Sequence, residues 1–139
     1  MSSHISGEMR TAVAIRAKYA CEYCLIHEDD TVYGCQIDHI ISVKHGGATA
    51  LENLAFACVF CNRSKGSDIG SILWPTQQFF RFFNPRIESW ESHFKLDGAI
   101  IRPQTEIGKV TAQILAFNNI DRVLERQILI AIGRYPFLT

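Results

Sequence analysis

The sequence predicts an α+β fold in which a short β-hairpin is flanked by helices. Two features predict the hairpin: Cys-x-x-Cys pairs at 21–24 and 58–61, which bracket it, and a run at 35–41 that is rich in β-branched isoleucine. Helical patterning at 8–20 and from 106 onward predicts the flanking helices. The hairpin therefore lies between the cysteine pairs, near the middle of the chain.

The composition is that of a globular protein and gives no overall attraction to nucleic acid. Apolar residues make up 47% and charged residues 20%, while 14 basic and 14 acidic side chains cancel. The length predicts a single domain over 1–139. The polar start and the lack of any run near the ~20 apolar residues of a membrane helix favour a cytoplasmic protein with no membrane partner. Five cysteines in that compartment indicate metal binding, with one cysteine left over.

The first half of the chain is predicted as a helix followed by the hairpin and a second helix. Ser6 is a candidate N-cap for the first helix, which is rich in good helix formers. Gly66 should end the second helix. The predicted elements are a helix at 8–20, a loop at 27–34, strands at 35–41 and 54–58, and a short helix from 59 to about 66.

The second half is predicted to be irregular at first and then helical. We expect its aromatic residues (Trp74, Phe79, Phe80, Phe82 and Phe83) to pack against the domain rather than stack on nucleic-acid bases. Thr105 and Asn118 are the candidate caps of the last two helices, which complete the core or form a dimer surface; we favour the core. The predicted elements are an irregular segment at 67–86, one or two helical turns at 87–95, a hairpin at 93–102, and helices at 106–117 and 118–132.

The paired cysteines predict a structural metal site. Two residues between cysteines allow both thiolates to face one ion, and four thiolates form the closed tetrahedral site typical of structural zinc. Cys21, Cys24, Cys58 and Cys61 are the expected ligands, and the 33 residues between the pairs leave room for the hairpin. The alternative is a set of buried or redox-active thiols. Cys35 lies outside the pairs and is expected to be a small core residue.

Polar residues on the hairpin predict a second, catalytic cluster. Asp38 and His39 are adjacent on a strand, so their side chains should point to opposite faces, a carboxylate toward a metal and an imidazole toward a water. Asn53 and Asn62 flank the second strand and open the helix. Each residue alone has an ordinary structural explanation as a buried histidine, a turn or a cap. Their order between two cysteine pairs favours the catalytic interpretation.

Together these motifs resemble the HNH endonuclease family, also called ββα-metal nucleases. The resemblance rests on Asp-His-Ile at 38–40, Gly-Gly at 46–47, Asn-Leu at 53–54 and Cys-x-x-Cys-Asn-x-x-Lys at 58–65, with Cys-Glu-Tyr-Cys upstream. It implies a zinc-clamped ββα-metal core at 21–66 and an extension at 67–139 that packs on the core. More loosely, the extension resembles the C-terminal part of small stand-alone bacterial HNH proteins.

The resemblance implies a role for each polar residue of the hairpin. His39 matches the general base that activates water, and Asn53 matches the residue that fixes the loop and orients the base. Asp38 and Asn62 match the ligands of a catalytic divalent metal. Their oxygen donors favour Mg²⁺ or Mn²⁺. Phosphate contacts are expected from Arg63, Lys65 and Lys44, with Arg16 and Lys18 as weaker candidates. The alternative is that these are ordinary solvated charges.

The sequence therefore predicts a metal-dependent endonuclease that hydrolyses DNA and leaves 5′-phosphate and 3′-hydroxyl ends, as the family resemblance implies. One imidazole can activate water, and one divalent cation can neutralise charge on the phosphate and on the leaving oxygen. The alternative is a non-catalytic, zinc-stapled module that binds nucleic acid or protein. Structured RNA remains a possible substrate. Sequence specificity, biological role and oligomeric state are not encoded in these motifs.

Overall fold

The structure is a computed structural model that describes residues 4–137, and it has the predicted α+β architecture. Within this range, the described residues form four α-helices and three separate two-stranded antiparallel sheets. No helix in the described range is long and apolar enough to cross a membrane. The elements are α1 (Gly7–Arg16), β1 (Cys35–His39), β2 (Leu54–Cys58), α2 (Val59–Lys65), β3 (Gly70–Leu73), β4 (Gln78–Arg81), β5 (Phe94–Asp97), β6 (Ile100–Pro103), α3 (Glu106–Ile114) and α4 (Ile120–Ala131).

The hairpin β1–β2 and helix α2 form the ββα unit that the family resemblance implies within 21–66. The strands pair antiparallel, with Cys35 opposite Cys58 and His39 opposite Leu54. All five residues of β2 are buried, so this strand is the centre of the unit. Helix α2 ends at Gly66, whose φ of 53° is a left-handed conformation that glycine adopts readily.

Helix α1 is capped as predicted but ends earlier than expected. The Ser6 side chain accepts a hydrogen bond from the amide of Met9. The helix stops at Arg16, because Lys18 and Tyr19 adopt left-handed φ values of 56° and 62°. This turn brings the chain back toward β2 and places the first cysteine pair beside it. The predicted helix at 8–20 was therefore too long by about one turn.

A hairpin, β3–β4, replaces much of the irregular segment that was predicted at 67–86. Gly70 pairs with Arg81, and a Cβ at Gly70 would lie 2.3 Å from the carbonyl oxygen of Phe80, so the pairing needs glycine there. The expected packing of the aromatic residues holds for buried Phe82 and Phe83. It is wrong for Trp74 and Phe79, which are more than half exposed.

The second half otherwise follows the prediction, except that α3 ends at Ile114, earlier than the predicted 117, and that the start of α4 needs a correction. The hairpin β5–β6 and the Thr105 cap of α3 are present as expected. The cap of α4 is Asn119, whereas Asn118 was predicted. The Asn118 side chain instead bonds to both the amide and the carbonyl of Ile101 on β6, at 2.9 and 2.8 Å. Of these two adjacent asparagines, Asn119 caps the helix that follows it, and Asn118 makes a tertiary contact to β6.

One hydrophobic cluster joins the ββα unit to the C-terminal elements. A chain of aromatic rings runs through it: Tyr23 meets Phe83, Phe83 meets Phe94, and Phe94 meets Phe117, with ring centroids 6.5, 5.6 and 5.5 Å apart. These residues are all buried and belong to the same cluster as the paired cysteines. The C-terminal helices therefore complete the core. A second, smaller cluster packs Val13 of α1 against β2.

The partly buried carboxylate of Glu88 links β4 to the turn before β5. Arg81 donates two hydrogen bonds to Glu88, at 2.8 and 3.0 Å, and the ring nitrogen Nε2 of His93 lies 2.7 Å from the same carboxylate. The amide of Asn84 donates to it as well. The hydrogen bonds from Arg81 outweigh burial and hold the pKa of Glu88 at about 2.

We expect Glu88→Gln to destabilise the protein by about 2 kcal/mol at neutral pH, an estimate discounted for the partial exposure of Arg81. The folded pKa of about 2 lies below the ordinary value of 4.5, so this carboxylate stabilises the fold above pH 4.5. That contribution disappears as the pH falls from 4.5 to 2. Urea unfolding at several pH values measures it. The exposed Glu91→Gln is the control, and a variant difference that does not shrink with acid would contradict this assignment.

Candidate functional site

The four paired cysteines converge on one point in the core. Their sulfur atoms all lie within 4.8 Å of one another, and all four residues are buried. In each pair the amide of the second cysteine donates to the sulfur of the first, 3.4 Å away, from Cys24 to Cys21 and from Cys61 to Cys58. The second pair lies at the start of α2, where Cys58 is the N-cap. The cluster is a candidate metal centre.

The chemistry of this donor set suits a tetrahedral cation such as Zn²⁺. Burial raises the pKa of the Cys21 and Cys61 thiols, while hydrogen bonds from Cys21, Cys58 and Cys61 lower the pKa of Cys24. Four buried sulfurs without a cation can therefore share little negative charge, whereas a divalent ion would stabilise all four as thiolates. Cys35 is half-buried outside this group.

His39 lies at the end of β1, on the face opposite Asp38. Its Nε2 is 2.9 Å from the hydroxyl oxygen of Thr49, which belongs to the loop between the strands. The imidazole is only partly buried. Thr49 was missed by the sequence analysis, because a threonine in a polar loop has no spacing that marks it as a partner of histidine. Among residues 4–137, the ring is thus held at one nitrogen, and Nδ1 is left for another contact.

Asn53 closes the loop that follows His39. Its side-chain oxygen accepts from the amide of Ile41, and its side-chain amide donates to the carbonyls of Ile41 and Ala48, at 2.8–2.9 Å. Gly47 passes directly beneath this contact. A Cβ at Gly47 would lie 1.7 Å from the carbonyl oxygen of Ile41 and 2.8 Å from Nδ2 of Asn53. Glycine is therefore required at this position by close approach of the backbone, and not by a left-handed φ.

Asp38 is buried beneath the hairpin, with both carboxylate oxygens engaged. Tyr23 donates its hydroxyl to Oδ2 at 2.7 Å, and Lys65 donates to Oδ1 at 3.2 Å and to the His39 carbonyl at 3.0 Å. Burial raises the pKa of Asp38, against the lowering effects of the Lys65 charge and the Tyr23 hydroxyl. Asp38 is 4% exposed and Lys65 is 1% exposed. The burial of Lys65 corrects the expectation that its ammonium faces a phosphate at the surface.

Asn62 lies over the same face of β1 as Lys65, one turn earlier on α2. Its side-chain amide donates to the side-chain oxygen of Gln36 at 2.6 Å. Gln36 and Asp38 are two residues apart on the strand and share this face. Within residues 4–137, the side-chain oxygen of Asn62 has no hydrogen-bond partner, so it can accept a ligand.

The expected ligands of a catalytic cation are therefore close in the fold but do not surround an open position. Asn62 offers one amide oxygen, whereas both oxygens of Asp38 are already engaged. In the part of the chain that the structure describes, the four cysteines are the one group of three or more His, Cys, Asp or Glu residues arranged to hold a metal. The conformation fits a structural zinc and does not fit a second cation at Asp38.

The other basic candidates differ in exposure. Lys44 and Arg63 are exposed, and neither has a polar partner among the described residues. Arg16 donates to the carbonyls of Leu51 and Leu54, at 2.9 and 2.6 Å, so it covers the outer edge of β2. Lys18 is exposed at the end of α1. Among the described residues, Lys44, Arg63 and Lys18 are therefore the predicted phosphate contacts that remain free to bind.

Arg86 shares the edge of β2 with Arg16. It donates to the Leu54 carbonyl at 3.3 Å and forms an ion pair with Glu22 at 2.6 Å. Glu22 in turn bonds to Phe56 twice, through its own amide and through its carboxylate. The sequence pattern did not predict this contact, because Leu54 and Glu22 are far from Arg86 in the chain.

Comparison with known protein families gives a match, and it covers the segment that contains the candidate site residues. The family model described as HNH endonuclease matches residues 21–68. This segment is an HNH domain. The match begins at the first cysteine of the metal centre and ends just beyond α2, so the HNH domain contains the four cysteines, His39 and both asparagines. It is a nuclease-type family, which implies nucleic acid as the substrate class. No curated protein and no solved structure gave a significant match to the chain.

Gly47→Ala is expected to destabilise the HNH domain by about 3 kcal/mol, since its Cβ would overlap the Ile41 carbonyl. Gly46→Ala is the matched control. Gly46 has φ of 86° but open space around it, so alanine there should cost only about 1 kcal/mol. Urea unfolding of both variants provides the comparison. Equal losses would contradict the prediction, because the overlap at Gly47 would then cost no more than the positive φ of Gly46.

Proposed function

We propose that the protein is a metal-dependent endonuclease that hydrolyses DNA, with His39 as general base and 5′-phosphate and 3′-hydroxyl ends as products. The observation that carries this proposal is the position of His39 within the HNH match. The residue lies at a strand end, partly exposed, and next to a loop that Asn53 fixes through three hydrogen bonds. A histidine needed only for packing would not require a loop closed in this way.

In the proposed reaction, neutral His39 accepts a proton from a water molecule as the water oxygen attacks phosphorus. Thr49 holds Nε2, so Nδ1 is the nitrogen proposed to receive the proton. The bond from phosphorus to the 3′-oxygen breaks, the leaving 3′-oxygen takes a proton from solvent, and the phosphate stays on the 5′ end. Asn53 acts as a positioning residue through the loop.

Charge on the phosphate needs cations, and two sources are proposed. Exposed Lys44 and Arg63 would contact phosphate oxygens directly. A bound Mg²⁺ or Mn²⁺ would supply further charge stabilisation, with the free amide oxygen of Asn62 as the proposed protein ligand. Asp38 could bind the same cation only if its hydrogen bond from Lys65 were broken. In the described conformation, Lys65 instead keeps Asp38 in place and contacts the backbone of His39.

The alternative function is a non-catalytic module that binds nucleic acid or protein. Two observations favour it: the closed Asp38–Lys65 pair and the balanced charge of the chain. Such a module would keep the cysteine centre and the hairpin fold. It would not depend on the imidazole of His39.

A plasmid assay distinguishes the two functions. Supercoiled plasmid is incubated with the protein and Mg²⁺ or Mn²⁺, and nicking is measured for wild type, His39→Ala and His45→Ala. We expect at least a 100-fold loss for His39→Ala, because general base catalysis contributes about 10²–10⁴-fold. His45 is exposed in the same loop and serves as the matched control. Ligation of the nicked product by DNA ligase tests the predicted ends.

The outcomes of this assay distinguish a wrong assignment of His39 from a protein that has no nuclease activity. Cleavage that survives His39→Ala excludes His39 as the base. A folded wild-type protein that shifts DNA in a gel but does not nick it with either cation supports the module instead. A parallel incubation with structured RNA tests the substrate class.

We also propose that Cys21, Cys24, Cys58 and Cys61 hold one structural zinc. Protein purified without added zinc should then contain about one equivalent. Cys58→Ser should lose most of the metal and unfold the hairpin, because structural zinc contributes folding free energy directly. Cys35→Ser is the matched control and should keep the metal. Elemental analysis and circular dichroism measure both effects, and a folded wild type without zinc would contradict the proposal.

A further inference from the structure

Arg122 on α4 reaches from the C-terminal extension to the cysteine centre. Its Nη2 lies 3.1 Å from the sulfur of Cys61 and 3.8 Å from the sulfur of Cys58. Its Nη1 donates to the carbonyls of Leu115 and Ala116, at 2.7 and 3.2 Å, at the end of α3. One guanidinium therefore joins the metal centre, α3 and α4.

The surroundings hold this guanidinium in one orientation. It lies over the rings of Phe60 and Phe117, with its central carbon 5.9 and 6.0 Å from the two centroids. Four hydrogen-bonding contacts and two aromatic faces leave it little freedom. A fixed cation in a water-poor setting interacts strongly with nearby anionic sulfur.

The charge of the proposed zinc centre explains why a cation belongs there. Four thiolates and one Zn²⁺ carry two more negative charges than positive ones. Arg122 offsets one of these in the core. Hydrogen bonds to a thiolate also draw electron density from sulfur, which protects it from protonation and from exchange of the metal.

A neighbouring arginine provides a natural comparison. Arg126, one turn later on α4, is buried and donates to the carbonyls of Ala99 and Phe117 at 2.7 Å and to Asn118 at 3.2 Å. It docks the same helix onto the same part of the core, but it makes no hydrogen bond to a cysteine sulfur. Both arginines dock α4 onto the core, but only Arg122 contacts the metal centre, so variants of the two residues distinguish these effects.

We propose that Arg122 is a positioning residue of the metal centre, which retains zinc by hydrogen bonding to its thiolate ligands and so makes α4 part of that centre. This inference rests on the zinc occupancy proposed above. Tyr135 supports the same link from the other side, because its hydroxyl donates to the carbonyl of Cys24 at 2.7 Å. The C-terminal segment thereby holds both cysteine pairs.

Zinc release to the chromophoric chelator 4-(2-pyridylazo)resorcinol tests the proposal on the full chain. Arg122→Met should release zinc about 10–100-fold faster than wild type, the usual effect of losing an outer-sphere partner of a metal ligand. Arg122→Lys, which keeps the positive charge, should lie between the two. Arg126→Met should release zinc at close to the wild-type rate.

A spectroscopic measurement excludes a purely structural role. In Co²⁺-substituted protein, the sulfur-to-cobalt charge-transfer band reports electron density on the thiolates. Loss of a hydrogen bond to sulfur should move this band to lower energy in Arg122→Met and leave it unchanged in Arg126→Met. A defect in helix docking alone would not produce this difference.

The outcomes distinguish this proposal from the zinc site itself. Wild-type protein that folds without zinc overturns both. Zinc-loaded wild type with the same release rate and the same cobalt band in Arg122→Met overturns only the role of Arg122. Faster release in Arg126→Met, equal to that in Arg122→Met, would also overturn it. Should Arg122→Met fail to fold, Arg122→Gln replaces it, since glutamine keeps an amide donor and removes the charge.

Discussion

The convergence of four cysteine sulfurs is the constraint on which the rest of the structure depends. The first pair follows the turn after α1, and the second pair opens α2, so the cluster fixes both ends of the segment that contains β1 and β2. A hairpin of two five-residue strands would be marginal alone. Anchored at this point, the hairpin and α2 present His39 and Asn62 on a fixed frame. The aromatic core and the C-terminal helices pack around the same cluster.

The sequence predicted the elements whose signals are local. The cap of α1, the bounds of β2, the end of α2 and the β5–β6 hairpin all depend on residues within one or two turns, and all were predicted. The β3–β4 hairpin was missed because its strands expose residues such as Phe79 and carry no clear alternation. The cap of α4 was misplaced because two asparagines are equivalent locally, and only the distant Ile101 distinguishes them.

At the candidate site, spacing brought the right residues together but did not determine what each side chain contacts. The alternation of β1 separates Asp38 from His39 as predicted from a strand. Nothing in the spacing of Lys65 showed that its ammonium would turn inward to Asp38, since the residue lies where exposed lysines end many helices. The Thr49 contact to His39 joins a loop to a strand and depends on tertiary structure alone. The hydrogen-bond partners of long polar side chains are set by tertiary structure and cannot be read from sequence patterns.

The covered edge of β2 has a consequence for how this protein meets other chains. An exposed strand edge is a template for pairing with a second strand, which leads to aggregation or domain swapping. On β2 the outward groups of Leu54 and Phe56 are already taken by Arg16, Arg86 and Glu22. Because these side chains occupy the outer edge of β2, no third strand pairs with the hairpin in the described structure. A partner could therefore extend this sheet only by first breaking ionic contacts, which keeps the central strand of the HNH domain from self-association.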